Sequence, residues 1–404
     1  MKVFQINTVS GYGSTGSICV DLAEVLIREG HSCTIAYGQG TTKYPDAYKI
    51  GTRFENHLHN LLSRITGKQG YFSQFGTRKL IRRIQAEQPD VIHLHNLHGN
   101  YLNFKLLFSY LSNSDIPIVW TLHDCWAYTG KCAHYTDVAC FKWKSECDQC
   151  PQVRKYPASI WLDRSRSSFY DKKEYFTAIK KMTVIPVSKW LASQASFSFL
   201  NKYPIQPIYN WIDHETFNPN QVDVRGDYSI SVSEFIILVV SASWSESDAK
   251  YQGLIKLVNR LDSKMKLLMV GKLNDIKKLP KDIIHIPYLD GKYKMAKVYA
   301  AADVYVHLST EDTFGKVIAE SLSCGTPAVV YNSTACPEIV GEGCGYIVDT
   351  NNIDQIMNAI KIIQNEGKSY YSLKCRKFVL ENFDYERLTQ KTIDLYKKMR
   401  SNDF

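Results

Sequence analysis

Short apolar runs alternate with helix-spaced segments along this chain, and the alternation stops once and restarts. "KVFQIN", "SCTIAYG", a run ending near His93–His95 and a run ending at His123-Asp124 read as strands. Between the first two, "ICVDLAEVLIREG" places Ile18, Leu22, Val25 and Leu26 at helical spacing and stops at Gly30. "RKLIRRIQAEQPD" and "KLLFSYLSNS" lead as helices into the next two strands. Strands that alternate with helices imply a parallel sheet covered on both faces. After about residue 210 the pattern resumes with "EFIILVV", "MKLLMVG", "IIHIPYL", "DVYVHLS", "TPAVVY" and "CGYIVD" as strands. "LIKLVNRL", "KMAKVYAAA", "VIAESLSCG", "DQIMNAIKIIQ" and "YERLTQKTIDLYKKMR" read as helices. The expected organisation is an α/β domain over residues 1–207, a second over 208–385, and a C-terminal helix over 386–404 packing back toward the first. They join near "YPIQPIYNWIDHETFNPN", with three prolines, and are expected to face a central cleft. In open α/β sheets, ligands bind beyond the carboxyl ends of the strands.

Charge narrows the partners. A formal charge of +9 favours anions such as nucleotide phosphates or an acidic membrane surface. No recognition module for nucleic acid appears. No apolar run approaches the ~20 residues that cross a bilayer. The opening "MKVFQINTVSGYGSTG" reads as a strand and glycine loop, not an export signal. The expected location is the cytoplasm, with peripheral contact at the inner face of the plasma membrane. Basic and aromatic residues in "RITGKQGYFSQFGTRKLIRR" and "SRSSFYDKKEYFTAIKK" are where an anionic membrane is expected to touch.

Several motifs fall at strand ends. "GYGSTG", with Gly11 and Gly13, follows a strand and opens a helix, the setting of a phosphate-binding turn. A dinucleotide site also needs an acidic residue at the end of the next strand, and "TIAYGQG" has none, which argues against NAD. "HLHNLHG" puts His93 and His95 on one face of a strand, as polar lining or a metal pair. His123, in "WTLHDCWAYTG", can donate to a sugar hydroxyl or move a proton. Lys250, in "SASWSESDAKYQG", can reach a phosphate. Cys132, Cys140, Cys147 and Cys150 end in a C-x2-C pair and suit a tetrahedral zinc; disulfides or free thiols are the alternatives. Any metal there is expected to be structural.

The richest stretch is "STEDTFGKVIAESLSCGTP". A strand ends, a loop carries Glu311, Asp312, Thr313, Phe314 and Gly315, and a helix starts near Lys316. Backbone N–H groups at the helix start favour a phosphate. Glu320, within the helix, can accept both hydroxyls of a ribose. A loop carboxylate can hold sugar hydroxyls. One nucleotide sugar uses every part.

Together, "EDTFGKVIAESLSCGTPAVVY", "YNWIDHETF" and "CPEIVGEGCGYIV" resemble the donor-binding half of the family-4 glycosyltransferases, retaining enzymes of the GT-B fold with two Rossmann-like domains. "GSTGSI", "HLHNLHGNYLN", "VWTLHDCWAYTGKC" and "SKWLASQASFSFL" are similar to a bacterial subgroup of capsular, exopolysaccharide or colanic-acid biosynthesis. The resemblance covers nearly the whole chain. It implies sugar transfer from a nucleoside-diphosphate donor to a glycan or lipid-linked glycan acceptor, with no cofactor required for catalysis. It implies that Glu320 binds the ribose, Asp312 or Glu311 the donor sugar, and Thr313, Phe314 and Gly315 the phosphate and sugar. Gly11 and Gly13 then sit near the β-phosphate and His123 beside the reacting sugar. Three positions depart from the family pattern. Trp244 stands near the usual Arg, leaving Lys250 as the candidate cation; Asp312 has the eight-residue spacing to Glu320 but Glu311 the usual residue type; and Trp211 replaces a Gly. Two alternatives are a nucleotide-sugar epimerase on the same fold and a zinc-stabilised interaction protein without catalysis.

Overall fold

The computed structural model describes residues 1–401. The chain divides into two compact units: Met1–Asn210 with the C-terminal helix from Glu386, and Trp211–Tyr385.

The first unit is built in order from β1 (Lys2–Asn7), α1 (Gly13–Arg28), β2 (Ser32–Tyr37), β3 (Ala47–Lys49), α2 (Arg53–Thr66), α3 (Gln74–Glu87), β4 (Val91–Leu94), α4 (Phe104–Ser112), β5 (Ile118–Leu122), α5 (Ser165–Phe176), β6 (Met182–Pro186) and α6 (Lys189–Ser196). Its sheet runs β3-β2-β1-β4-β5-β6 with every pair parallel. Every residue of β4, β5 and β6 is buried, which is why these strands read as unbroken apolar runs. Local signals set the helix ends. Thr52 accepts the Glu55 N–H at the start of α2, and Gly67 closes it at φ 71°, where glycine is favoured. Between β5 and α5 the chain is irregular, with two short 3₁₀ turns at Thr136–Val138 and Lys142–Lys144.

The second unit runs β7 (Phe235–Trp244), α7 (Ala249–Val258), β8 (Met265–Leu273), β9 (Ile283–Ile286), α8 (Lys292–Ala301), β10 (Val304–His307), α9 (Lys316–Ser323), β11 (Ala328–Tyr331), α10 (Cys336–Ile339), β12 (Gly345–Val348), α11 (Ile353–Glu366) and α12 (Lys368–Asn382). Its parallel sheet has the order β12-β11-β10-β7-β8-β9. Read from its own first strand, this is the same order as the first unit's. Each unit therefore has one switch point, between β1 and β4 and between β7 and β10, where successive crossovers leave in opposite directions.

The last helix, α13 (Tyr385–Ser401), belongs to the first unit from Glu386 onward. It buries Leu388, Ile393, Tyr396 and Met399. The Tyr396 hydroxyl hydrogen-bonds His93 Nδ1, and Arg28 pairs with Glu386. Tyr396→Ala removes a wholly buried aromatic side chain and should destabilise the first unit by ~3–5 kcal/mol. Urea unfolding followed in both units checks this. A loss below ~1 kcal/mol would make the helix dispensable to that core.

Candidate functional site

In the second unit, the segments leaving β7 and β10 line one cavity of ≈ 220 Å³. Ser241, Trp244 and Lys250 come from the β7 side, and His307, Ser309 and Asp312 from the β10 side. The cavity therefore lies at the switch point of the sheet. Lys250, in the first turn of α7, is held by Ser241, whose Oγ accepts from Nζ at 2.7 Å; Asp248 lies 3.7 Å away. Trp244 cannot substitute for a cation. Its ring is buried, and its indole N–H donates to Val270 O at 2.9 Å. Gly271 makes room for it: a Cβ there would lie 2.1 Å from Ser241 O and 2.9 Å from the indole nitrogen.

Asp312 and Glu311 separate by direction. Asp312 Oδ2 lies 2.7 Å from His307 Nε2, and the other ring nitrogen of His307 meets the Tyr305 hydroxyl at 2.7 Å. The Asp312 N–H donates to Thr334 Oγ1. Asp312 lines the cavity; Glu311 is not among its lining residues. Burial disfavours a charged His307, but the Tyr305 oxygen and the Asp312 carboxylate outweigh it and hold the imidazole well above its ordinary value. His307 is thus an ion-pair partner that orients Asp312. The Cys336 sulfur lies within 4.8 Å of both. Because both ring nitrogens of His307 are engaged, the trio reads as a hydrogen-bonded network, not a metal site.

Beyond the loop, Phe314 is buried edge-on against Phe383 at 5.3 Å, and Gly315 adopts φ 83° at the start of α9. Thr313 is half-buried between Asp312 and this anchor. No side chain caps α9, so its first N–H groups have no local acceptor from a cap. Glu320 lies one turn deeper, half-buried, with the Tyr299 hydroxyl 3.4 Å away. Burial pushes its carboxyl up to about 7, against a smaller opposing pull from Lys316 and Tyr299.

The first unit carries its own constellation at the ends of β1, β4 and β5. Gly11 and Gly13 have φ of 77° and 64°, and the Gly11 N–H donates to Gly16 O, closing the turn on itself. A Cβ on Gly13 would meet nothing within 4 Å, so its open side is solvent. No side chain caps α1. His95 Nε2 lies 3.0 Å from Gln5 Oε1, and its Nδ1 lies 3.1 Å from His123 Nε2. The Gln5 carbonyl thus assigns the proton to His95 Nε2, so His123 carries its own on Nε2 and donates it to His95. Burial holds His93 near 3 and His123 near 4, and His95 far below its usual value. All three are neutral at pH 7. With His93 bonded to Tyr396 and Thr121, the metal-pair alternative for His93 and His95 is overturned: their ring nitrogens are occupied. Beside them, burial works against an ionised Asp124, but His98, 2.6 Å away, and the Trp126 N–H bring its carboxyl down to about 2.

Sequence reasoning missed His307, Ser241, Gln5 and Tyr299, the residues that aim the others. Of these, His307 had a signal, as a polar residue ending an otherwise apolar strand.

Residues 15–216 match the family described as Glycosyltransferase Family 4, and residues 225–377 match Glycosyl transferases group 1. The chain belongs to glycosyltransferase family 4. It is 25% identical over 382 residues to WcaC of Escherichia coli K12, named for glycosyl transfer in colanic acid biosynthesis, covering 89% of this chain and 90% of that one. Among solved structures, sucrose-phosphate synthase of Thermosynechococcus elongatus superposes with a TM-score of 0.71 at 15% identity over 99% of each chain. HepE of Anabaena, solved with UDP-glucose, superposes with a TM-score of 0.68 at 15% identity, over 98% of this chain and all of that one. The fold is GT-B, and the protein is a glycosyltransferase.

The raised carboxyl of Glu320 has a signed consequence. Between about pH 4.5 and 7 the folded chain holds a proton there that the unfolded chain has released, so stability falls as pH rises across that window. The unliganded protein should therefore melt lower at pH 7 than at pH 5 by a margin that Glu320→Gln reduces. Differential scanning calorimetry of both proteins checks it; parallel pH profiles would contradict it.

Proposed function

We propose that this glycosyltransferase moves a sugar from a nucleoside-diphosphate donor to a growing, lipid-linked glycan, with retention at the anomeric carbon. The observation that carries this reading is the cavity joining Lys250, Asp312 and the uncapped start of α9 at the β7/β10 switch point. A cation and helix N–H groups suit a diphosphate, and two carboxylates at different depths suit two sets of hydroxyls. In this reading Glu320 takes the ribose, Asp312 the donor sugar, and Thr313 and Gly315 the phosphate through backbone N–H groups, with Phe314 as the anchor. His123 and the Gly11–Gly13 turn are the first unit's candidates for contact with the reacting sugar and diphosphate.

The step balances without a base from the protein. The acceptor oxygen attacks the anomeric carbon from the face the diphosphate is leaving. The carbon–oxygen bond to the diphosphate breaks, that oxygen keeps the electron pair, and it takes the acceptor's proton. Lys250 and the N–H groups stabilise the negative charge as it grows. The likeness to WcaC supports a role in polysaccharide assembly, and HepE makes UDP the first donor base to try.

A lipid-linked acceptor is favoured by α2. Phe54, Leu58, Leu61 and Ile65 form one stripe along it and are all exposed, Phe54 by 77%. Its buried residues are the polar Asn56, His59 and Ser63. Trp161, exposed by 74%, lies on the adjoining loop, where the Ile160 N–H donates to Arg64 O. Arg53 and Lys68 flank the stripe. An apolar stripe edged by cations fits an anionic bilayer surface. In the segment 165–181, by contrast, Phe169 and Phe176 are buried. Among the described residues no helix is long and apolar enough to cross a membrane.

Thermal shift and calorimetric titration with UDP, GDP, ADP and TDP test the donor site. One diphosphate should bind, at least tenfold more weakly to Glu320→Ala and to Lys250→Ala, each having lost a charged hydrogen bond of ~1.5–3 kcal/mol. Affinity should rise through pH 7 as Glu320 ionises. Failure of every diphosphate and nucleotide sugar to bind would end the donor reading. For the membrane contact, sedimentation with phosphatidylglycerol vesicles at low salt should fall at least tenfold in Leu58→Glu/Leu61→Glu, since each leucine forfeits ~1.5–3 kcal/mol of burial. A wild type that ignores such vesicles would refute it.

A further inference from the structure

We infer that Cys132, Cys140, Cys147 and Cys150 bind one structural zinc ion that organises the irregular segment between β5 and α5. All four thiols line a small cavity of ≈ 20 Å³, together with Trp143 and Ser165. That volume suits a single ion or water. The Cys132 and Cys150 sulfurs are 3.9 Å apart and not bonded. A tetrahedron with zinc–sulfur bonds of ~2.3 Å has edges of ~3.8 Å. The pair already spans one such edge. No three of the four sulfurs lie within 4.8 Å of one another among the described residues, so binding draws Cys140 and Cys147 inward.

Backbone N–H groups face two of the four sulfurs. The Gly130 N–H donates to Cys147 Sγ at 3.1 Å, and the Gln152 N–H donates to Cys150. A Cβ on Gly130 would sit 2.8 Å from Cys147 Cβ and 2.4 Å from Ser165 O, so glycine is needed for that approach. Trp143 Nε1 and Ser165 Oγ are buried at the same cavity and have no hydrogen-bond partner.

Charge makes the stronger case. Lys131 and Lys172 are both buried. Lys131 Nζ donates to the carbonyls of Gln152, Val153 and Lys155, and Lys172 Nζ to those of Trp126 and Thr129. Neither forms an ion pair with a carboxylate among the described residues. Lysines are almost never fully buried unless paired, and carbonyl dipoles alone repay little of the desolvation cost. A zinc ion with four thiolates carries a net charge of −2. It adds a counter-charge to the little that faces these amines, which is the Asp124 carboxylate and the Trp126 ring, 3.6 Å away, for Lys172 and the Asp163 carboxylate for Lys131. It also explains how residues 123–164, nearly without regular structure, hold a fixed path through a compact unit.

The test uses the full chain and does not depend on the donor reading. Elemental analysis of protein expressed in zinc-supplemented medium should find about one zinc per chain. Cobalt added to the chelated wild type should give the intense thiolate-to-metal charge-transfer band and visible bands of tetrahedral sulfur coordination. Cys150→Ser should lower zinc affinity at least tenfold and weaken that band. Where the variant fails to fold, the cobalt spectrum of the wild type alone decides. Zinc below a tenth of an equivalent, a cobalt spectrum without thiolate bands, or a Cys132–Cys150 disulfide in a non-reducing peptide map would each overturn the inference. Retained zinc with failed nucleotide binding would leave this site standing and remove the donor site instead.

Discussion

A parallel strand cannot return to its neighbour by a tight turn. The chain must cross the sheet face, and the right-handed crossover delivers every strand's exit to the same edge. Both units obey this rule, and both reverse direction once, leaving a gap between two diverging segments. Most of the candidate donor-site groups gather at or beside those gaps. "GYGSTG" leaves β1, the histidines leave β4 and β5, Lys250 follows β7, and the Asp312 loop follows β10. The functional residues are far apart in sequence and adjacent only because the strand order makes them so.

Placement is not orientation. In each unit a buried layer beneath the site aims the groups that face outward. His307 turns Asp312, Ser241 holds Lys250, and Gln5 assigns the tautomer of His95 and through it that of His123. These supports are desolvated, which keeps the three first-unit histidines neutral and holds the Glu320 proton near neutrality. The same desolvation makes a buried ammonium costly, and Lys131 and Lys172 meet that cost with backbone carbonyls and, for Lys172, the face of Trp126.

Much of this was legible in residue order. The strands declared themselves as apolar runs because both sheet faces are covered, and the site loops declared themselves by lying where such runs end. α2 was not legible, since its buried face is polar and its apolar face exposed, the reverse of the usual code. α12 was hidden differently. Tyr371, Cys375 and Val379 face inward, but Tyr370, Leu373 and Leu380 face out, so no single stripe stands out. The choice between Glu311 and Asp312 could not be made from spacing. Only the fold shows that His307 reaches Asp312, a contact set by the end of β10 and the bend after it. Lys250, six residues after Trp244 and in the first turn of α7, lines the same cavity as Trp244, a placement that only the fold reveals.

The first unit is closed by residues made after the second. The second unit is spliced into it as an insertion between Asn210 and Glu386, and His93 waits for a phenol more than three hundred positions away. During synthesis the sheet of the first unit leaves the ribosome early, yet its α13 side stays bare until the insertion has been translated. The inserted unit has all its strands in hand and can fold while the other is incomplete. Emergence of α13 from the exit tunnel is therefore the event that completes this side of the first unit, and termination before it damages the two units unequally, sparing the second.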